Sequence, residues 1–221
     1  MKKKGSGSRE SLAMSIRAAA LLAMLALPAG CASLIAGAKQ PTTIYAPDTR
    51  VPVSPEWPQV RWKLALGRPS GARTADGLRI MVRPTPNEVQ VYKGAQWAKS
   101  PGDMLEDSVL HALEDSGRIA VVARQGSGFS ADFRLLLDVR RFEADYAGAA
   151  VPAATIEVTA KLLYVKDQAL AGSRTFVRTQ SATTTAVPDV VAAFDQALAD
   201  ASGEIVGWTL ATGEQHERSR H

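Results

Sequence analysis

The sequence predicts an α+β protein: an antiparallel sheet with two main helices packed on one face, in the order β-β-β-α-β-β-β-β-α. Three observations carry this reading. Residues 132–142 and 154–165 alternate apolar and polar side chains through long runs, as strands with one covered and one wetted face do. Residues 101–116 and 188–210 repeat their apolar positions every three to four residues, the period of an amphipathic helix. Short clusters of Gly, Pro, Asn and Ser separate these segments.

The elements follow in order. Residues 60–67 read as a strand with Val60, Trp62, Leu64 and Leu66 on one face. Residues 78–83 and 88–93 are two short strands around the turn Pro84-Thr85-Pro86-Asn87. Ser100-Pro101 opens the first helix, with Ser as N-cap, Pro in the first turn and Asp103 near the positive end of the dipole. Its buried stripe is Leu105, Val109, Ala112 and Leu113, and Gly117 ends it. Residues 118–123 form a strand, and Gly126-Ser127-Gly128 a turn. In 132–142, Phe133, Leu135, Leu137 and Val139 face inward; in 154–165, Ile156, Val158, Ala160, Leu162 and Tyr164 do. A further strand covers 169–181.

The last helix, about 188–210, carries a seam of Val191, Phe194, Leu198, Ala201, Ile205 and Trp208, read as packing across the sheet. Gly203 and Gly207 lie on its opposite side, each costing about 1 kcal/mol relative to Ala, so a close backbone contact there, possible between subunits, explains them. A helix that frays is the alternative. Residues 213–221 read as a polar, disordered tail.

Charge excludes one class of function. The chain has 221 residues, with 26 Lys and Arg against 22 Asp and Glu. Five of those bases but one acid, Glu10, fall in the first thirty residues, and the remainder balance. A nucleic-acid partner requires a surplus of cations on the folded body, and none is expected. A single Cys rules out an intrachain disulfide and a Cys-based zinc site.

The N-terminus reads as an address. Lys2, Lys3, Lys4, Arg9 and Arg17 precede the apolar run 18–27, too short to span a hydrocarbon layer of about 30 Å. Pro28-Ala29-Gly30-Cys31 follows and resembles a bacterial lipobox, which makes Cys31 the expected site of lipid attachment. Pro28 stands where that motif usually has Leu. A simple secretory signal leaving Cys31 as a free thiol is the alternative, and Met14 opens a complete signal by itself. Ala32-Ser33 lacks the Asp that favours inner-membrane retention, so outer-membrane anchoring facing the periplasm is expected. The segment 31–58 holds Pro41, Pro47, Pro52, Pro55 and Pro58 and reads as an extended tether with a reach on the order of 80 Å. Docking along the domain through Ile44 and Tyr45 is the alternative. The domain proper is assigned to 59–212.

No catalytic constellation emerges. His111 projects away from the buried stripe of its helix and reads as solvated. The stretch Gly126-Ser127-Gly128-Phe129-Ser130 is neither a nucleophile elbow nor a phosphate loop. Arg134, Asp138, Arg140 and Arg141 read as a wetted strand face. Trp97, Phe142 and Tyr146 read as core, with an apolar groove as the alternative. The expectation is a protein that is not an enzyme and needs no metal or cofactor.

Leu78-Arg79-Ile80-Met81-Val82, followed by Val89-Gln90-Val91-Tyr92-Lys93-Gly94-Ala95-Gln96-Trp97, resembles the auxiliary-lipoprotein family of ABC-type transporters, also called PqiC-like. That family has an "RIAV" strand, then "Y-x-G-A-x-W", then its first helix. Leu113-Glu114-Asp115-Ser116-Gly117 and Ala131-Asp132-Phe133-Arg134-Leu135 with Phe142 are similar to its "L-E-x-S-G" and "A-D-Y-x-L…F" stretches, and Trp208 to a Trp near the end of its last helix. An acid usual after the first Trp is replaced by Ala98-Lys99. The resemblance covers about 60–210. It implies a non-catalytic role beside an MCE-domain protein and an ABC permease and ATPase, in transport of lipids or other hydrophobic molecules between membranes, and a homo-oligomer matching that partner's symmetry. An envelope-assembly lipoprotein unrelated to transport is the rival reading.

Overall fold

The structure, a computed structural model, describes residues 41–71 and 77–220; the signal segment and Cys31 lie outside them. The fold occupies the unit that begins at Thr42. Among the described residues nine strands form one open sheet: β1 (Thr43–Tyr45), β2 (Val60–Leu66), β3 (Ser70–Gly71), β4 (Arg79–Thr85), β5 (Glu88–Trp97), β6 (Ile119–Arg124), β7 (Phe133–Asp145), β8 (Ala153–Tyr164) and β9 (Ala169–Ser181). Among the described residues two helices accompany them, α1 (Pro101–Ser116) between β5 and β6, and α2 (Val187–Ser219) at the end. The expected α+β class and element order are present, with the short strands β1 and β3 added.

Strand β7 is the axis of the sheet. One edge pairs with β8 along its whole length, and β8 pairs with β9, all antiparallel. The other edge carries three partners end to end: β2 at Phe133–Leu135, β3 at Asp138 and Val139, and β4 at Glu143–Asp145, all parallel to it. Strands β2 and β6 are also parallel, as are β1 and β5. The sheet is therefore mixed where a wholly antiparallel one was expected. Alternation of side chains reports which face is covered and says nothing about the direction of the neighbouring strand. Parallel pairing needs a long crossover, and the β4–β5 hairpin with α1 provides one between β2 and β6.

Local chemistry sets α1 as read. The Ser100 hydroxyl accepts from the Asp103 amide at 3.1 Å, and Gly117 ends the helix at φ 59°. Leu105, Val109, Ala112 and Leu113 are all buried. Helix α2 covers the same face of the sheet with Phe194, Leu198, Ala201 and Ile205, and meets α1 there. Phe194 stacks on Phe142 at 4.9 Å and meets Trp97 edge-on at 5.3 Å, so the core reading of Trp97 and Phe142 holds.

Two boundaries differ from expectation. Helix α2 continues to Ser219, through the stretch read as a disordered tail. Its last turns are polar but anchored: Arg218 pairs with Glu214, His216 lies 5.6 Å from the Phe133 ring, and Arg220 bonds Asp167. The segment 42–58 is not a free tether. It begins as β1 on the edge of β5, and its Trp57 is 8% exposed, inside the core. The prolines fix an extended shape that lies against the domain.

Candidate functional site

Of the residues singled out from sequence, Cys31 lies outside the described residues. Gly203 and Gly207 lie within them, and residues from the start of the domain stand beside both. A Cβ on Gly203 would stand 3.2 Å from Val51, and one on Gly207 would stand 2.8 Å from Trp57 Nε1. The chain's own strap, residues 42–58, runs along this side of α2. The close backbone approach inferred from these glycines exists, but it is intramolecular. The Thr49 hydroxyl donates to the Asp195 carboxylate of α2 and fixes the strap between β1 and Trp57.

The same packing recurs twice. A Cβ on Gly213 of α2 would strike the Trp62 ring, and one on Gly172 of β9 would stand 3.2 Å from Trp208. Three of the four tryptophans thus rest on glycine backbone, which gives a flat ring room that any larger residue would remove.

The uncovered face of the sheet carries an ionic cluster only partly visible in sequence. Glu143 accepts two bonds from Arg83, at 2.8 and 3.0 Å, and one from Arg141 at 2.7 Å. Arg141 also donates to Asp145 at 2.5 Å. Burial alone would raise the Glu143 carboxyl; the bonds from Arg83 and Arg141 outweigh it and hold the group below its ordinary value. Arg141, read as solvated, is thus committed to this cluster. Arg140, by contrast, is exposed and lies 3.8–3.9 Å from Asp138 and Glu157. Arg83 and Glu143 are 60 positions apart, so no local signal pairs them. Together they clamp the β4–β5 hairpin where only three residue pairs join β4 to β7.

His111 is exposed on α1, as read, and Ser127 sits in a turn where its hydroxyl donates to the Arg124 carbonyl. Among the described residues no group of three or more His, Cys, Asp and Glu is placed to hold a metal ion. None of the described helices is long and apolar enough to cross a membrane.

Residues 43–206 match the family model of the ABC-type transport auxiliary lipoprotein component. The chain belongs to this family. The auxiliary lipoprotein is also similar to protein XCC0632 of Xanthomonas campestris, of family DUF330, whose crystal structure superposes with a TM-score of 0.77. The two are 55% identical over 80% of this chain and 99% of that one. A second crystal structure, of an uncharacterized protein, shares the fold at 15% identity and a TM-score of 0.57, over 75% of this chain and 97% of that one. No curated protein is significantly similar to the chain. The family match begins at Thr43, so the strap belongs to the auxiliary-lipoprotein domain, whose start was placed at 59.

Proposed function

We propose that this auxiliary lipoprotein acts without catalysis, as a docking component that holds an ABC-type transport system at the outer membrane. The reading rests on the family match over 43–206, taken with the Gly30-Cys31 motif that follows a short apolar run. Acylation of Cys31 anchors the protein on the periplasmic side of that membrane. Its partner is an MCE-domain protein working with the system's permease and ATPase, and the cargo is a lipid or another hydrophobic molecule. A docking component contributes to such transport by binding, and a balanced charge beyond residue 30 suits a protein partner better than a nucleic acid. A homo-oligomer matching the partner's symmetry is part of this reading, with the side of the last helix that carries Gly203 and Gly207 as the first place to look for its contact.

Co-purification tests it. The exported Cys31→Ser protein should retain the MCE protein encoded beside it. A protein that ignores the MCE partner but binds phospholipid stoichiometrically in native mass spectrometry overturns the docking role and makes it a carrier.

A further inference from the structure

Strand β9 ends one side of the sheet. Among the described residues it pairs with β8 alone, so its outer edge is open along all thirteen residues. The strands at the far ends of the sheet are shorter: β6 has six residues and β1 three. The ladder to β8 shifts only beside Ala171, where Leu163 pairs with Leu170 and Leu162 with Gly172. From Gly172 to Ser181 the strand is regular, and its outward backbone N–H and C=O groups have no ladder partner.

An edge of this length is normally guarded by a Lys, a Pro or a charge that repels a second strand. Residues 169–181 contain no Lys and no Pro. Their two arginines lie on the helix-covered face, committed to their own domain: Arg174 sits over the Phe176 ring at 4.9 Å, and Arg178 pairs with Glu204 of α2. The other face shows Ser173, Thr175, Val177, Thr179 and Ser181, all small and uncharged, with Val177 48% exposed.

Charge and register decide what fits this edge. An antiparallel strand from a second copy, related by a two-fold axis, places one residue of β9 opposite itself. With Arg174, Phe176 or Arg178 on the axis, arginine faces arginine, because Arg174 and Arg178 flank Phe176 symmetrically. With Val177 on the axis none does: Thr175 faces Thr179, Ser173 faces Ser181, Phe176 faces Arg178, and Arg174 faces Gln180. An axis at Thr175 also keeps the cations apart, but its ladder shortens to 172–178 against the shift at Ala171. The Val177 register runs over 173–181 and avoids that irregularity.

We propose that β9 is a self-pairing edge: two copies of the chain join β9 to β9 antiparallel, about a two-fold axis at Val177, and merge their sheets. The pairing gives the open backbone groups partners and covers Val177 on both copies. Arg178 lines the same open groove as Gly203 and Gly207, so the contact adjoins the side of α2 where the proposed oligomer is to be sought. It rests on the homo-oligomer of that reading and requires no MCE protein.

The exported Cys31→Ser protein, purified without a transport partner, tests this apart from docking. Sedimentation equilibrium should show a reversible monomer–dimer equilibrium at concentrations up to about 200 µM. Val177→Lys sets two ammonium groups face to face on the axis and should weaken the dimer at least about tenfold. Its melting curve should stay unchanged, because the position is exposed. Thiol pairing reads the register, since Cys31 is the chain's single Cys. Under mild oxidation Val177→Cys in the Cys31→Ser background should form a disulfide-linked dimer. Thr179→Cys alone should not, because about 13 Å of strand would separate its two thiols, whereas mixed with Thr175→Cys it should. A protein still monomeric at about 200 µM, a dimer that Val177→Lys leaves intact, or Thr179→Cys that cross-links as readily as Val177→Cys overturns the proposal.

Discussion

The Trp57 ring rests on the backbone of Gly207, so near that a Cβ on Gly207 would stand 2.8 Å from Nε1 and 3.1 Å from Cδ1. This contact joins the start of the domain to its last helix and settles the strap on α2. Gly207→Leu should displace the Trp57 ring, at a stability cost of about 1–3 kcal/mol. The intrinsic fluorescence should shift to the red as the indole gains water. An unshifted spectrum with unchanged stability would show that the strap is not held there.

Phe194 sits at the centre of the core, 1% exposed, between Phe142 and Trp97. Phe194→Ala removes both ring contacts and leaves a cavity, and should cost about 3–5 kcal/mol in urea unfolding. A loss below about 0.5 kcal/mol would place the ring outside the folding core.

The cluster around Glu143 gives the fold an acid limit. Its carboxyl is held below the ordinary value of 4.5, so the folded state binds this proton less readily than the unfolded chain. The stabilisation is complete above about pH 4.5 and is lost as pH falls through the depressed folded value. Glu143→Gln should therefore be less stable than wild type at pH 7, by about 1–3 kcal/mol, with the gap closing in acid. Taking the difference between the two proteins isolates this group from Glu106, which burial pushes upward despite Arg124. A gap that stays constant from pH 7 to pH 3 would show that Glu143 does not titrate lower in the fold.

At the alkaline end Tyr92 acts in the opposite sense. Burial first, and then the neighbouring Tyr146, push its hydroxyl up to about 12. The unfolded chain loses this proton near pH 10, so stability should decline between about pH 10 and 12. Tyr92→Phe should flatten that decline in a series of thermal melts.

Anchoring has its own test. Cys31→Ser should release the protein from the membrane fraction and abolish incorporation of labelled fatty acid. Wild type that fractionates as soluble and takes up no label would dismiss acylation.

What the sequence displayed was whatever repeats locally. The alternation of Phe133, Leu135, Leu137 and Val139 and the stripe Leu105, Val109, Ala112 and Leu113 each identified a covered face correctly. Gly203 and Gly207 flagged a close approach without saying what approaches, because Val51 and Trp57 lie about 150 residues away in a proline-rich stretch with no period. The clamp of Arg83 on Glu143 depends on a pairing between distant strands, which no window of sequence contains. The last two turns of α2 were missed for a related reason: their polar residues are held by tertiary partners such as Asp167, and intrinsic pattern does not register those.

The docked strap also changes how the protein would explore its surroundings. With Cys31 acylated, ten residues separate the anchor from Thr42, which bounds the reach at about 35 Å. A domain so confined meets partners within a thin layer at the membrane, where a weak contact sees a local concentration far above that of the bulk. Its search becomes two-dimensional, and whatever it captures must be delivered to the bilayer surface.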